Sequence, residues 1–262
     1  LLKHFSKCKD ELLSPADYLA YAEGVEHDAG DDNLDEKSRL TEIANVYHAY
    51  NQLLLDNNAL DFGDLIYYAV KLLRERPKVK KALETRFRYI LIDEFQDVNW
   101  AQYELVKLLS GHSQLTVVGD DDQSIYAFRG ASVSNILRFK DDFPKGKEIV
   151  LNENYRSGQE ILDVAYTSIQ NNNPDRLEVK LGVDKKLKSE IRNPRKVGSR
   201  GRQKSEIKYI PANTLDQEVK AVVGEIVRLK GEGKEVSWDD FAILVRANSH
   251  AEPFIQALER GN

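Results

Sequence analysis

Residues 89–109, YILIDEFQDVNWAQYELVKLL, constrain the fold of this chain more than any other stretch. The apolar run Tyr89 to Ile92 ends abruptly in Asp93 and Glu94, with Gln96 and Asp97 close behind. A short apolar run bounded by polar residues predicts a buried strand. VNWAQYELVKLLSG then predicts a helix stopped by Gly111, and QLTVVGD a second strand. The rhythm continues with a helix in VSNILRFKDDF, a strand in KEIVLN (147–152) and a helix in SGQEILDVAYTSIQNNN. It resumes with EIKYIPA (206–212), the helix DQEVKAVVGEIVRLKGEG and the strand DFAILVR (240–246). Short apolar strands alternating with amphipathic helices predict an α/β fold, a parallel sheet covered on both faces.

The first 60 residues read differently. Ser14-Pro15-Ala16-Asp17 is a helix start, with Ser14 as N-cap and Asp17 near the positive end of the dipole. EGVEHDAGDDNLDEK (23–37) predicts an acidic loop, and the next 21 residues carry a helical stripe through Leu40, Ile43, Val46, Tyr47, Tyr50, Leu53 and Leu54. Residues 176–208 hold twelve Lys and Arg against four Asp and Glu, which predicts a flexible basic insertion. That insertion is either a solvated surface or a phosphate-binding one, with Lys185, Lys186, Arg195, Arg200 and Arg202 as the first contacts.

With 262 residues, 41% of them hydrophobic, the chain can bury a core of one large or two modest domains. No apolar stretch reaches membrane-spanning length, so no membrane partner is expected. The one cysteine, Cys8, excludes a disulfide framework or a cysteine-built zinc site and points to a reducing cytoplasm. The chain has no methionine, so it is expected to be an internal piece of a longer polypeptide, or one from which modified methionines have been lost.

Open α/β sheets bind ligands at the carboxyl ends of their strands. Asp93, first polar residue after the apolar run, can hold Mg²⁺ there, and Glu94 can accept a proton from an attacking water. Capping and solvated loop acids are the plainer reading. The second strand ends in GDDDQSIYAFRGA, where Gln123 suits a terminal phosphate. Tyr126 and Phe128 beside Arg129 suit base stacking, worth about 1–3 kcal/mol per base, or else ordinary core packing. After the third predicted strand, ENYRSG brings Arg156, able to reach a transferring phosphate or to pair with Glu153 or Glu160, and Tyr155, able to stack on a base.

The ordered set DEFQD, GDDDQSIYAFRGA and ENYRS, with LDFGDLI (60–66) upstream and DFAILVRANSHAEPFIQAL (240–258) downstream, resembles the UvrD/Rep/PcrA-type superfamily 1 DNA helicases. The resemblance implies a RecA-like parallel sheet of the P-loop NTPase type. It implies a helical segment over 1–58 similar to the end of the family's 1B subdomain. Residues 59–150 would be part of motor domain 1A, and 151–262 part of motor domain 2A. It implies an ATP-dependent 3′–5′ translocase acting on single-stranded DNA and DNA junctions, with ATP and Mg²⁺ as cofactors. Asp93 would hold the metal, Glu94 act as base, Gln123 sense the γ-phosphate, Arg156 serve as finger and Tyr155 stack on adenine. Phe62, Tyr126, Phe128 and Arg129 would line the DNA track. Two positions depart from the family pattern: Phe128 replaces a common tryptophan, and Gly63 a frequent acid.

A phosphate loop needs G-x-x-x-x-G-K-[ST]. The Gly-Lys pairs here, Gly146-Lys147 and Gly233-Lys234, are both followed by glutamate, so the sheet is expected to lack its phosphate-loop portion. Rival readings are a helicase-like DNA-binding module that does not hydrolyse ATP, and a metal-dependent phosphatase or phosphoacceptor. The second leaves QSIYAFRGA and ENYRS without a purpose.

Overall fold

The structure, a computed structural model, describes residues 1–25, 32–111, 113–124, 133–190, 207–232 and 236–260. It divides into two compact units, Leu1–Glu148 and Ile149–Asn262.

The first unit opens with three helices, α1 (Leu2–Asp10), α2 (Pro15–Gly24) and α3 (Asp32–Asp56). The start of α2 is the one the sequence predicts: Ser14 Oγ accepts from Asp17 N–H (3.1 Å) and Asp17 Oδ2 accepts from Ser14 N–H (2.8 Å). Phe5, Cys8, Tyr18, Ala22, Leu40, Ala44 and Tyr47 form one apolar core, in which Phe5 stacks on Tyr47 at 4.8 Å. The acidic stretch predicted as a loop is instead helical from Asp32 onward. Acids are favourable in the first turn of a helix, and the two hydrogen bonds from Arg39 to Glu36 (2.6 and 2.7 Å) support the next turn. Val46 and Leu53, placed on the stripe by periodicity, are exposed.

Next come α4 (Phe62–Glu75), α5 (Pro77–Arg86), β1 (Tyr89–Ile92), α6 (Trp100–Leu109), β2 (Gln114–Val117) and α7 (Val133–Asp142). β1 and β2 pair in parallel with Ile92 opposite Val117. This sheet is not covered on both faces: Tyr89 and Leu91 are 72% and 76% exposed, because among the described residues nothing packs over that side of β1.

A buried charge cluster ties α1 and α3 to the start of α4. Lys9, 1% exposed, places Nζ 2.7 Å from Asp61 Oδ2 and 2.8 Å from Asp64 Oδ1, and Tyr50 OH donates to Asp61 at 2.9 Å. Burial raises the Asp61 carboxyl, but hydrogen bonds from Lys9, the Asp64 backbone and Tyr50 outweigh it and hold it below the usual carboxylate range.

The second unit holds β3 (Glu153–Asn154), α8 (Gln159–Ile169), α9 (Leu177–Leu181), β4 (Lys188–Ser189), α10 (Leu215–Glu232) and α11 (Glu252–Arg260). β3 and β4 pair in parallel, and Val219, Val223 and Phe254 form the core between α10 and α11. The segments predicted as strands at 147–152, 206–212 and 240–246 form no strand where they are described: Asn152 C=O accepts one hydrogen bond, from Lys188 N–H at 2.8 Å, and Asp240 closes the 3-10 helix Trp238–Asp240. Leu151, Tyr209 and Leu244 are 74%, 89% and 94% exposed: an apolar run becomes a strand only beside a free edge that can take its N–H and C=O groups. The basic insertion is also more structured than predicted at its start. Arg176 is buried, lies 5.5 Å from the Tyr166 ring and pairs with Glu178 at 2.6 Å, and β4 docks beside β3. Residues 191–206, which include Arg195, Arg200 and Arg202, lie outside the described residues. No helix among the described residues is long and apolar enough to cross a membrane.

Removing Lys9 strands two carboxylates, one of them buried. Lys9→Met is expected to cost about 3–5 kcal/mol in urea unfolding, and adding Asp61→Asn and Asp64→Asn to recover part of that loss.

Asp10 offers a pH test. Its Oδ1 accepts from Asn99 Nδ2 at 2.8 Å, and burial, then the charges of Glu11 and Asp61, push its pKa up to about 6. The folded protein holds this proton more tightly than the unfolded chain, so Asp10 favours folding in acid and withdraws that support as pH rises from about 4 to 6. Asp10→Asn keeps the acceptor without the charge. Its melting temperature should match the wild type near pH ~4, rise above it by pH ~6, and keep a constant lead beyond.

Candidate functional site

The parallel register carries both strand ends to one edge. Val118 N–H donates to Ile92 C=O and Phe95 N–H donates to Val118 C=O, each at 2.8 Å, so the pairing extends past the last strand residue into the acidic turn. Glu94 has a left-handed backbone (φ 50°, ψ 43°), a conformation that costs a non-glycine residue about 1–2 kcal/mol. It turns the chain from β1 into the short 3-10 helix Phe95–Asp97. Asp93 and Glu94 are both exposed at this turn. Phe95, 1% exposed, anchors it from below, 5.9 Å from the Tyr103 ring and 5.6 Å from the Phe139 ring.

Asp93 Oδ1 accepts from Glu94 N–H at 2.9 Å, and its other oxygen has no hydrogen-bond partner among the described residues. A hard oxygen donor at a strand end, with one oxygen open, fits Mg²⁺, which keeps several waters and takes one or two carboxylates. Glu94 Oε2 accepts from Gln96 Nε2 at 2.6 Å. Gln96, 1% exposed, turns its carbonyl the other way, where Oε1 accepts from Asp120 N–H at 2.9 Å.

On the β2 side, Asp120 caps the short 3-10 helix Asp121–Gln123. Its Oδ1 accepts from Asp122 N–H (3.2 Å) and its Oδ2 from Gln123 Nε2 (3.0 Å). The exposed Gln123 amide is therefore tied to the same loop as the Gln96 contact. Gly119 has to be glycine here: a Cβ would lie 2.9 Å from Gln96 Oε1 and 3.2 Å from Phe95 Cβ. The carboxylates of Asp120, Asp121 and Asp122 come within 4.8 Å of one another, an arrangement that acidic loops often adopt without an ion.

Phe62 is the first residue of α4 and 91% exposed. Its neighbours are fixed: Asp61 and Asp64 form a reciprocal cap, and both meet Lys9. The same cluster crowds Gly63. A Cβ there would sit 3.0 Å from Lys9 Cβ and Cδ, so a larger side chain would drive the buried ammonium away.

In the second unit, Asn154 Oδ1 accepts from the backbone N–H groups of Arg156 (3.0 Å) and Ser157 (2.8 Å), forming the turn that presents Tyr155 and Arg156. Both are exposed. Tyr155 OH donates to Glu153 Oε2 at 2.5 Å, and that bond raises the phenol above its ordinary pKa. Arg156 has no ion-pair partner among the described residues, so the pairing with Glu153 or Glu160 considered from sequence is absent there. Tyr126, Phe128 and Arg129 lie outside the described residues.

Thus Glu94 and Gln123 are brought to one edge and linked through Gln96 and Asp120. Sequence reasoning left Gln96, Lys9 and Asp120 without roles. For Lys9 a signal existed: it shares a helical face with Phe5 and Cys8, and a lysine on an apolar face needs a buried counter-ion.

Comparison with known proteins bears on this site. Residues 1–144 match the family model described as the UvrD/REP helicase N-terminal domain, and residues 149–262 match the UvrD-like helicase C-terminal domain. Among curated relatives, the ATP-dependent DNA helicase PcrA of Leuconostoc citreum is 34% identical over 263 residues, covering 100% of this chain and 31% of the relative. The protein of the same name from Staphylococcus aureus is 36% identical over 258 residues, covering 98% of this chain and 31% of the relative. The chain thus spans 31% of the length of either relative.

Proposed function

The chain belongs to the UvrD/REP helicase family, and from that premise we propose that it forms part of an ATP-dependent DNA helicase, translocating 3′ to 5′ along single-stranded DNA in the cytoplasm. Asp93 holds Mg²⁺, which when bound neutralises phosphate charge. Glu94 takes the proton of the attacking water at its free oxygen, Gln123 contacts the γ-phosphate, and Arg156 stabilises charge on the transferring phosphoryl group. Tyr155 stacks on adenine. Phe62, Tyr126, Phe128 and Arg129 contact the unpaired strand, and DNA junctions are the larger substrates.

The observation that carries this reading is the linked pair of strand ends, Glu94 to Gln96 at 2.6 Å and Gln96 to Asp120 at 2.9 Å, with Gln123 on the same loop at 3.0 Å. A proton acceptor and a phosphate-sensing amide on adjacent strands suit in-line attack by water on a terminal phosphate. The Arg156 guanidinium, without an ion-pair partner among the described residues, suits a group kept for an anionic ligand.

The reading has a direct consequence, since these 262 residues contain no G-x-x-x-x-G-K-[ST] run. Titrated with ATP and Mg²⁺, this chain by itself should show no saturable binding in the micromolar range and no turnover. Tight binding with turnover would show that phosphates are held by some other route. Tight binding without turnover would favour the non-hydrolysing DNA-binding module.

Phe62→Ala tests the DNA track without nucleotide. Loss of one stacked base should weaken single-strand affinity by about 1–3 kcal/mol, roughly fivefold to a hundredfold. The salt dependence of binding should not change, because no phosphate contact is removed. Unchanged affinity in a fluorescence-anisotropy titration removes Phe62 from the track.

A further inference from the structure

Gln96 stands inside the acidic motif yet carries no charge and is 1% exposed. We propose that Gln96 is a positioning residue that holds the Glu94 carboxylate and fastens it to the end of β2, setting Glu94 and Gln123 as one unit. The proposal rests on the reading of Glu94 as the proton acceptor.

Three hydrogen bonds join the two groups: Glu94 Oε2 to Gln96 Nε2 (2.6 Å), Gln96 Oε1 to Asp120 N–H (2.9 Å), and Asp120 Oδ2 to Gln123 Nε2 (3.0 Å). The orientation of the Gln96 amide follows from its partners. A carboxylate only accepts and a backbone N–H only donates, so NH₂ must face Glu94 and C=O must face Asp120. Reversing the amide would set two oxygens 2.6 Å apart and leave the Asp120 N–H facing an NH₂.

The packing points the same way. Gln96 Oε1 lies 2.9 Å from where a Gly119 Cβ would stand, so the β2 end gives up a side chain to admit this oxygen. Glu94 needs such support, because at an exposed position its carboxylate would otherwise sample several rotamers. With Oε2 held, Oε1 has no hydrogen-bond partner among the described residues and is free to take a proton. A base held in one geometry removes an orientational cost that the reaction would otherwise carry.

Gln96→Met keeps the approximate volume and removes both hydrogen bonds. In ¹H–¹⁵N spectra of this chain, Glu94→Gln should shift the Asp120 amide resonance in the wild-type background and leave it unmoved in the Gln96→Met background. The Asp120 amide should exchange with solvent about tenfold or more faster in Gln96→Met. An Asp120 amide that feels Glu94→Gln equally with and without Gln96 overturns the proposal.

Turnover supplies the second arm, measured in a polypeptide that adds a phosphate loop to this chain. There Gln96→Met should lower kcat between about tenfold and a hundredfold with the KM for ATP unchanged, and should add nothing to Glu94→Gln. Full kcat in Gln96→Met beside an inactive Glu94→Gln overturns the positioning role and keeps the base. An active Glu94→Gln overturns the base, and the spectra still decide whether the tie exists. Should Gln96→Met fail to melt cooperatively, Gln96→Glu replaces it. That variant keeps the acceptor for Asp120 but turns a second carboxylate on Glu94, so slow exchange at Asp120 with depressed kcat supports the proposal, and wild-type kcat overturns it.

Discussion

The parallel pairing of β1 with β2, four residues long, is the constraint on which the candidate site depends. Ile92 opposite Val117 sets Asp93 and Glu94 beside the loop of Asp120 and Gln123. A slip of one residue would send every side chain of β1 to the other face and carry the acids away from that loop. So short a pair is marginal by itself. Its register is held at both ends instead. Before the strands, Gln114 N–H donates to Arg88 C=O at 2.8 Å and Ser113 Oγ donates to Phe87 C=O. After them, Phe95 and Val118 continue the ladder, and Phe95 is buried against Tyr103 and Phe139. An apolar ring thus fixes the turn on which Asp93 and Glu94 stay exposed.

Two different polar devices lie behind the first unit, and they illustrate opposite costs. Lys9 is charged and buried, and it is tolerated because two carboxylates lie within 2.8 Å, one of them also accepting from the Tyr50 hydroxyl. Such a cluster adds little net stability over an apolar packing but is severe to break, because losing one partner leaves a buried charge uncompensated. Phe62 sits at the end of this arrangement, and its exposure is therefore not looseness. The backbone that carries it is held by the reciprocal Asp61–Asp64 cap.

Much of this was legible in the sequence where local signals suffice. The Ser14–Asp17 cap, the apolar runs that become β1 and β2, and the helices between them depend on neighbours a few positions away. The segments at 147–152 and 240–246 show the limit. Their apolar runs say that they can be strands, whereas pairing requires an edge, which no property of the segment itself reveals. The early basic insertion failed for a related reason: Arg176 counts as a surface charge until Tyr166 and Glu178 are seen beside it. The Lys9–Asp61 and Gln96–Asp120 contacts span 52 and 24 residues, so their partners were visible as residues but not as pairs.

Why the link between the two strand ends is a glutamine follows from what each end offers. Glu94 presents an acceptor and Asp120 a backbone donor, so the bridging group must donate at one end and accept at the other. Lysine and arginine cannot accept, and a carboxylate cannot donate in its ionised form. Asparagine carries the right amide but is one methylene shorter. A neutral amide meets both ends, and at a buried position it avoids the several kcal/mol that desolvating a charge costs, roughly. Between the exposed Glu94 and the exposed Gln123, the polar side chain that reaches inward, Gln96, is thus a neutral one.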